Sequence, residues 1–223
     1  MLKFASIGDC CVDIYPQFNQ SFLGGSAFNV ALAAQKLKIK ASLISAVGVD
    51  TWGKKYLSSP VGLHLTQLKG QTSHVSITLD SHNSPSFSKW RLGVLKKFNL
   101  TSAHAKFLAT QNAVHCTAIK PLNPLLDQFV KMKLAGIFKS ADFDGNTPYT
   151  FNNTALTKYA PAFDLIAASR PVDIKHKMVL ITMGKLGSQI ITPKKTYFQP
   201  ALKTKAADTT GAGDAYLATF IIS

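Results

Sequence analysis

The sequence predicts an α/β fold: a mostly parallel central sheet with helices on both faces and a smaller β sheet attached. Three observations predict it. Short apolar, strand-like runs alternate with helical patterns along most of the chain, the arrangement that builds parallel sheets covered on both sides. Residues 73–94 depart from that pattern and alternate apolar with polar side chains, as a strand with one wet face does. Finally, the chain has 223 residues, 46% hydrophobic and only 16% charged, enough to bury a core and too apolar for disorder. The whole of 1–223 is read as one domain.

Phe4–Ile7 is a short apolar strand ended by Gly8-Asp9, and Val12–Tyr15 is extended again. Pro16–Phe22 reads as a connection or lid segment. Gly24-Gly25-Ser26 opens a helix, with Ser26 suited to cap it and Phe28, Ala31, Leu32, Ala34 and Leu37 at helical spacing. Ser42–Val47 is a second core strand, followed by Gly48-Val49-Asp50 and a short helix from Thr51. Val75, Ile77 and Leu79 alternate with Ser76, Thr78 and Asp80, and a further strand is expected over Ser86–Leu92, after the turn-rich His82-Asn83-Ser84-Pro85. Such strands, within 10–23 and 73–94, suit a small β lid over an active site. Further on, Val114–Ala118, Gly136–Phe143, Phe163–Ala168 and Met178–Thr182 read as strands. Ser102–Thr110, Pro124–Leu134 and Asn152–Tyr159 read as helices.

Lys and Arg number 25 against 11 Asp and Glu, a formal charge of +14. That excess suits nucleic acid or an anionic surface. The lysines are scattered, however, with small clusters only at Lys96-Lys97 and Lys194-Lys195, and no arginine-rich helix is present. A solvated basic surface that attracts anionic nucleotide is the reading adopted, without a nucleic-acid partner. Apolar runs such as 178–182 and 215–222 are too short to cross a bilayer. Met1-Leu2-Lys3 leads into a strand and not into a signal-peptide core, so a cytoplasmic protein with no membrane partner is expected. Cys10, Cys11 and Cys116 show no metal or disulfide spacing and read as reduced, structural thiols. No G-x-G-x-x-G follows the first strand, which excludes a dinucleotide-binding oxidoreductase.

Two glycine-rich segments carry the chemistry. Asp208-Thr209-Thr210-Gly211-Ala212-Gly213-Asp214-Ala215 leads into the apolar run Tyr216–Ile222. Glycines around a small residue at a helix entrance leave bare amides that, with the helix dipole, bind anions. Asp214 falls in the first turn, placed to accept a hydroxyl proton beside a held phosphate. The alternative is an ordinary glycine-rich turn with Asp214 as a helix-start residue. The second segment, Gly24-Gly25-Ser26-Ala27-Phe28-Asn29-Val30-Ala31, lies near the other end of the chain.

With both segments in this order, the chain resembles the PfkB, or ribokinase-like, carbohydrate kinases, which carry GG-x-x-x-N early and DT-x-GAGD late. Gly48-x-Asp50 with Gly53 agrees as well. So does Thr182-Met183-Gly184-Lys185-Leu186-Gly187-Ser188, which is similar to the family's T-x-G-x-x-G nucleotide segment. The resemblance runs from Phe4 to Phe220. Within the family, Gly8-Asp9-Cys10-Cys11-Val12-Asp13-Ile14-Tyr15-Pro16 is most similar to the fructoselysine 6-kinase branch, with Gly93-Val94 and Phe98 as lesser cues.

The resemblance implies a ribokinase-like three-layer α/β/α sandwich with a β lid, using ATP, Mg²⁺ and a monovalent cation such as K⁺. It implies phosphorylation of a sugar hydroxyl, the 6-hydroxyl of a fructosamine such as fructoselysine. Other readings are a fructokinase, ribokinase or nucleoside kinase, or a non-catalytic relative that binds sugar or nucleic acid. Asp214 matches the catalytic base, and Gly211, Ala212 and Gly213 match the anion hole. Asp13 matches the carboxylate that holds sugar hydroxyls, with Asp9 assisting. Gly24 and Gly25 would let the backbone approach the sugar, and Asn29 would offer an amide beside it. Thr182, Gly184 and Gly187 would border ATP, and Asp208 and Thr210 would hold the monovalent cation. From the residues alone, Asp13 is equally a surface strand carboxylate, Asn29 a polar helix position, and Gly184–Gly187 a plain strand-to-strand turn. Lid strands pairing between subunits imply a homodimer.

The chain also departs from the family pattern. The N-x-x-E segment has no clear copy; Ser169 and Asp173 are candidate substitutes, and Arg170 is read as a solvated side chain in preference to a phosphate contact. Ser169–Met178 is too short for the helix the family places there, and Ser58–Val61 is short as well. The family continues beyond the GAGD helix through helices that complete the adenine pocket, so the resemblance implies that segments of a longer protein are absent from this sequence.

Overall fold

The chain is described here by a computed structural model covering residues 1–81, 85–143, 149–204 and 208–223. In order, its elements are β1 (Lys3–Ile7), β2 (Cys11–Tyr15), β3 (Gln20–Gly24), α1 (Ser26–Lys36), β4 (Lys40–Gly48), α2 (Thr51–Leu57), β5 (Gly62–Leu68), β6 (Ser73–Leu79) and β7 (Pro85–Arg91). They continue with α3 (Ser102–Leu108), β8 (Ala113–Thr117), α4 (Asn123–Val130), β9 (Phe138–Asp142), α5 (Asn153–Tyr159), β10 (Leu165–Ala168), β11 (Val179–Thr182), β12 (Ser188–Ile191), β13 (Thr196–Gln199) and α6 (Ala212–Ile222). Among the described residues the strands form a nine-stranded sheet, ordered β13-β12-β11-β10-β9-β8-β1-β4-β5, and a four-stranded lid, ordered β3-β2-β6-β7.

The central sheet is parallel from β5 to β11 and antiparallel only at β11–β12 and β12–β13. Its strands are short apolar runs because both faces are buried. Phe4 points to α1 and α6, while Ala5 and Ile7 point to the core shared with α3, α4 and α5. On that second face Phe129 stacks on Phe163 with centroids 5.8 Å apart. Truncating Phe129 to Ala should cost about 3–5 kcal/mol. This is the three-layer α/β/α arrangement with a β lid that the sequence predicts.

The lid is fastened to the sheet by Asp50. Its Oδ1 accepts from the Gly53 amide at 2.8 Å, capping α2, and from the Thr72 hydroxyl at 2.6 Å, while Oδ2 accepts from the Thr72 amide at 2.7 Å. Thr72 leads directly into β6, so the Gly48-x-Asp50 segment is the joint between the two sheets. These bonds hold the Asp50 carboxyl below its ordinary range against the opposing effect of burial.

Several expectations are corrected. Gly25, not Ser26, is the N-cap of α1, because Ser26 is its first helical residue and turns its hydroxyl elsewhere. Leu37 is 47% exposed, beyond the last turn of that helix. The segment 16–22 runs into β3, an edge strand of the lid whose exposed positions are Gln20 and Phe22. Strands β5, β12 and β13 also escape apolar patterning: β13 and β5 close the two edges of the sheet, and β13 is exposed along its whole length. The α4 helix ends at Val130, although Leu134 beyond it is still buried. No regular element lies between β10 and β11, in keeping with the short Ser169–Met178 segment. The turn read over His82-Asn83-Ser84 falls outside the described residues.

The three cysteines are free and buried, and burial raises each thiol, that of Cys116 to about 12. They are structural, as the sequence predicts. Among the described residues no helix is long and apolar enough to cross a membrane.

Candidate active site

Between the lid and the C-terminal ends of the central strands lies a cleft of about 1610 Å³. Open parallel sheets bind ligands at this edge, where strands end and helices begin. Asp9, Asp13, Gly25, Ser26, Asn29, Thr182, Gly184, Gly187, Gly211, Ala212, Gly213 and Asp214 all line it. The two glycine-rich segments, 185 residues apart at Asn29 and Asp214, meet at its floor.

Asp214, in the first turn of α6, is held by α1. Ser26 Oγ donates to its Oδ1 at 2.7 Å and Asn29 Nδ2 donates to its Oδ2 at 2.9 Å. Desolvation at the cleft floor lifts its pKa to about 8. The two donors pull the other way, and the charges of Asp142 and Asp9 add to the rise. Its surface stays partly accessible from the cleft, so a bound molecule can reach it. Asn29 thus gives one of its two amide hydrogens to Asp214, and its side chain also lines the cleft where the resemblance implied an amide beside the sugar.

Asp13, on the cleft face of β2, is raised to about 7 by burial and by the charges of Asp9 and Asp208. Its carboxylate lies over Gly24: a Cβ there would come within 2.2 Å of Oδ2. Gly25 sits at φ +97°, and a Cβ would fall 2.6 Å from the Asp9 carbonyl oxygen. Asp9 itself is buried, with Oδ2 accepting from the Ser26 amide and Oδ1 from the Ala27 amide, both at 3.2 Å. It satisfies orphan amides at the start of α1, and its part is therefore chiefly to fasten the helix that carries Ser26 and Asn29.

At the other segment the expected row of bare amides is interrupted. Ala212 N–H closes a turn on the Thr209 carbonyl at 3.1 Å, which leaves Gly211 left-handed at φ +74°. Among the described residues the amides of Gly211, Gly213 and Asp214 have no protein acceptor. A Cβ at Gly213 would meet nothing within 4 Å. That combination, open space and unpaired donors at a helix start, fits a phosphate group.

Asp208 and Thr210 are tied to the lid. Tyr15 Oη, from β2, donates to Asp208 Oδ2 at 2.9 Å and lies 3.1 Å from Thr210 Oγ1, while the Thr210 amide donates to Asp208 Oδ1 at 2.8 Å. These side chains brace the loop against the lid. Thr182, Gly184 and Gly187 line the cleft and also form the turn joining β11 to β12, closed by Met183 N–H on the Gly187 carbonyl at 2.8 Å. The segment is thus a strand-to-strand turn that faces the cleft.

Of the substitutes for N-x-x-E, Ser169 lines the cleft and Asp173 is an exposed residue outside it. Arg170 is not simply solvated: Nη2 donates to the Phe151 carbonyl at 2.7 Å and Nη1 to Asn153 Oδ1 at 3.2 Å. Sequence reasoning missed three residues here. Ser26 passed as a helix cap and Tyr15 as one residue of an extended segment. Asp142, at the end of β9 and on the cleft wall, would have been found by asking which carboxylates fall at C-terminal ends of parallel strands.

The solved structures most relevant to this arrangement share its fold. A ribokinase from Giardia lamblia superposes with a TM-score of 0.81 at 18% identity, covering 100% of this chain and 82% of its own. Arabidopsis thaliana ribokinase, complexed with ribose and ATP, gives 0.79 at 20% identity over 100% and 86%. In sequence, the chain is 28% identical over 239 residues to the fructoselysine 6-kinase of Escherichia coli, covering 99% of this chain and 88% of that protein. It is 29% identical to a nucleoside kinase of Methanothermobacter thermautotrophicus, over 89% and 70%. The model of the pfkB family of carbohydrate kinases matches residues 5–171 and 164–223, and the chain therefore belongs to the pfkB carbohydrate kinase family.

Proposed function

We propose that this ATP-dependent carbohydrate kinase phosphorylates the 6-hydroxyl of a fructosamine such as fructoselysine, with Asp214 as the base. The observation that carries the reading is the Asp214 carboxylate, held by Ser26 and Asn29 beside three amides at the start of α6 that have no acceptor among the described residues. The fructosamine follows from the Gly8–Pro16 segment and from the similarity to fructoselysine 6-kinases, whose identity of 28% leaves the sugar to experiment.

Asp13 would hold sugar hydroxyls on the lid side of the cleft. Asp214, in its ionised form, would take the proton from the attacking hydroxyl, and a positioned base of this kind is worth about 10²–10⁴ in rate. The amides of Gly211, Gly213 and Asp214 would receive charge developing on the transferred group. Bound ATP supplies the phosphoryl group, and Thr182, Gly184 and Gly187 would border it. Among the described residues no three ligating side chains cluster. That suits Mg²⁺, which takes one or two carboxylates and fills its remaining positions with phosphate oxygens and water; Asp142 is the cleft carboxylate to hold it. Exposed Phe18 and Phe22, beside and in the lid, would serve a homodimer, which sedimentation of the protein as a monomer would exclude.

ATP consumption against fructoselysine, fructose, ribose and nucleosides tests this reading, with the phosphorylated position assigned by NMR. Turnover with fructoselysine and a phosphate on O6 is expected. Faster turnover with fructose, ribose or a nucleoside would move the chain to another kinase of the family, and no turnover with any of them would leave a binding protein.

A further inference from the structure

Beside the main cleft lies a second cavity, of about 530 Å³, at the lid edge formed by β7 and the turn after it. The two cavities share Trp90 and Tyr149, whose rings pack edge to face with centroids 4.7 Å apart. The indole N–H of Trp90 donates to Ser73 Oγ at 3.0 Å, so this aromatic partition is fixed from the lid side. Carboxylates lie on one side of it only, among the described residues. The main cleft is lined by Asp9, Asp13, Asp142 and Asp214 as well as by Arg170, Lys185 and Lys203. The second cavity is lined by His74, Arg91 and Lys96 and by no carboxylate among the described residues. Neither Arg91 nor Lys96 forms an ion pair among those residues.

We propose that the second cavity is a subsite for the rest of the substrate: an aliphatic tail that leaves the sugar through an amine and ends in a carboxylate. The proposal rests on the fructosamine reading and deepens it. Sugar hydroxyls suit the cleft around Asp13 and Asp214, which offers acceptors, whereas a tail carboxylate finds Arg91 and Lys96 beyond the partition with no competing acid among the described residues. An arginine offers two parallel donors to a carboxylate, and charge-assisted bonds of this kind are stronger than neutral ones. The ring faces of Trp90 and Tyr149 give a methylene stem an apolar wall to cross. A phosphate attached directly to the ring has no stem to carry it past that partition. The tail therefore distinguishes a glycated amino acid from a sugar phosphate.

Calorimetric binding to the full chain tests the assignment, with Nε-fructosyl-lysine, its decarboxylated counterpart fructosyl-cadaverine, and ribose 1-phosphate as probes. The wild type should prefer fructosyl-lysine to fructosyl-cadaverine by about tenfold or more. In the R91Q/K96Q double variant, checked by thermal melting for an intact fold, the preference should fall to within about twofold. Equal binding of the two amines by the wild type, a preference that survives in the double variant, or failure of both to bind each overturns the proposal. Tight, Arg91- and Lys96-dependent binding of ribose 1-phosphate would give the cavity to a phosphate instead and overturn it too. Turnover measured in parallel separates the two layers. Carboxylate preference without turnover removes the kinase reaction and leaves the subsite, while turnover of ribose or fructose without that preference does the reverse.

Discussion

The two glycine-rich segments meet at Asp214 and use glycine for opposite reasons. At Gly24 and Gly25 the fold leaves no room: a side chain would strike the Asp13 carboxylate or the Asp9 backbone, and Gly25 also has positive φ. At Gly213 a Cβ would point into empty cleft, and nothing in the protein objects to it. The first pair builds the site and the last glycine keeps it open for a ligand. A glycine motif therefore reports packing in one place and ligand approach in another, and only the neighbouring atoms tell which.

Substitutions can break or sharpen this contrast. The largest effect is expected for D214N, which keeps the shape at the junction of the segments and removes the base. Turnover should fall by about 10²–10⁴ with melting behaviour preserved. Gly25→Ala and Gly213→Ala should then split cleanly. G25A forces positive φ and a backbone collision, should cost at least about 1–3 kcal/mol, and should lower the melting temperature. G213A should melt like wild type but lose up to about 10²-fold in kcat/KM, because a displaced phosphoryl group loses its alignment. If G213A unfolds, or G25A melts normally, the distinction between the two segments is lost.

Smaller effects are expected where the lid touches the second segment. Y15F removes the hydroxyl that bridges Asp208 and Thr210 and should raise KM by about two- to tenfold, the worth of one ordinary hydrogen bond. Unchanged steady-state kinetics in Y15F would show that the lid does not brace this loop. Stability should carry a pH signature as well. Asp214 and Asp13 are raised to about 8 and about 7, above the unfolded value of 3.8. Their favourable contribution is complete below that value and is lost as pH rises through 7 and 8. The wild-type melting temperature should decline between pH 6 and pH 9, and the D13N/D214N double variant should decline less.

Much of this was legible in the sequence, and the illegible parts share a physical reason. Strands β1, β4, β8, β10 and β11 are buried on both faces, so their apolar runs declare them. Strands β5 and β13, at the sheet edges, have no such runs: apolar and polar residues are mixed in β5, and the two aromatics of β13 are exposed. Within the site, residue types and order exposed Asp214, Asp13 and both glycine segments. Sequence order does not show which side chain contacts which. Ser26 reads as a helix cap until its hydroxyl is found on Asp214, Asn29 gives no sign of its bond to the same carboxylate, and Ala212 reads as a free donor until its amide closes a turn.

The account's central claim is that Asp214, tuned by α1, takes the proton in the reaction. It is tested most directly by the pH dependence of kcat/KM for sugar-dependent ATP turnover in wild type, S26A and D214N. A carboxyl raised to about 8 must ionise before it can accept a proton, so the wild-type rate should climb with pH and level off above about 8. Removing the Ser26 donor should move that limb to higher pH, and D214N should abolish it along with most of the rate. An identical acid limb in D214N would contradict the claim and assign the proton transfer to another group.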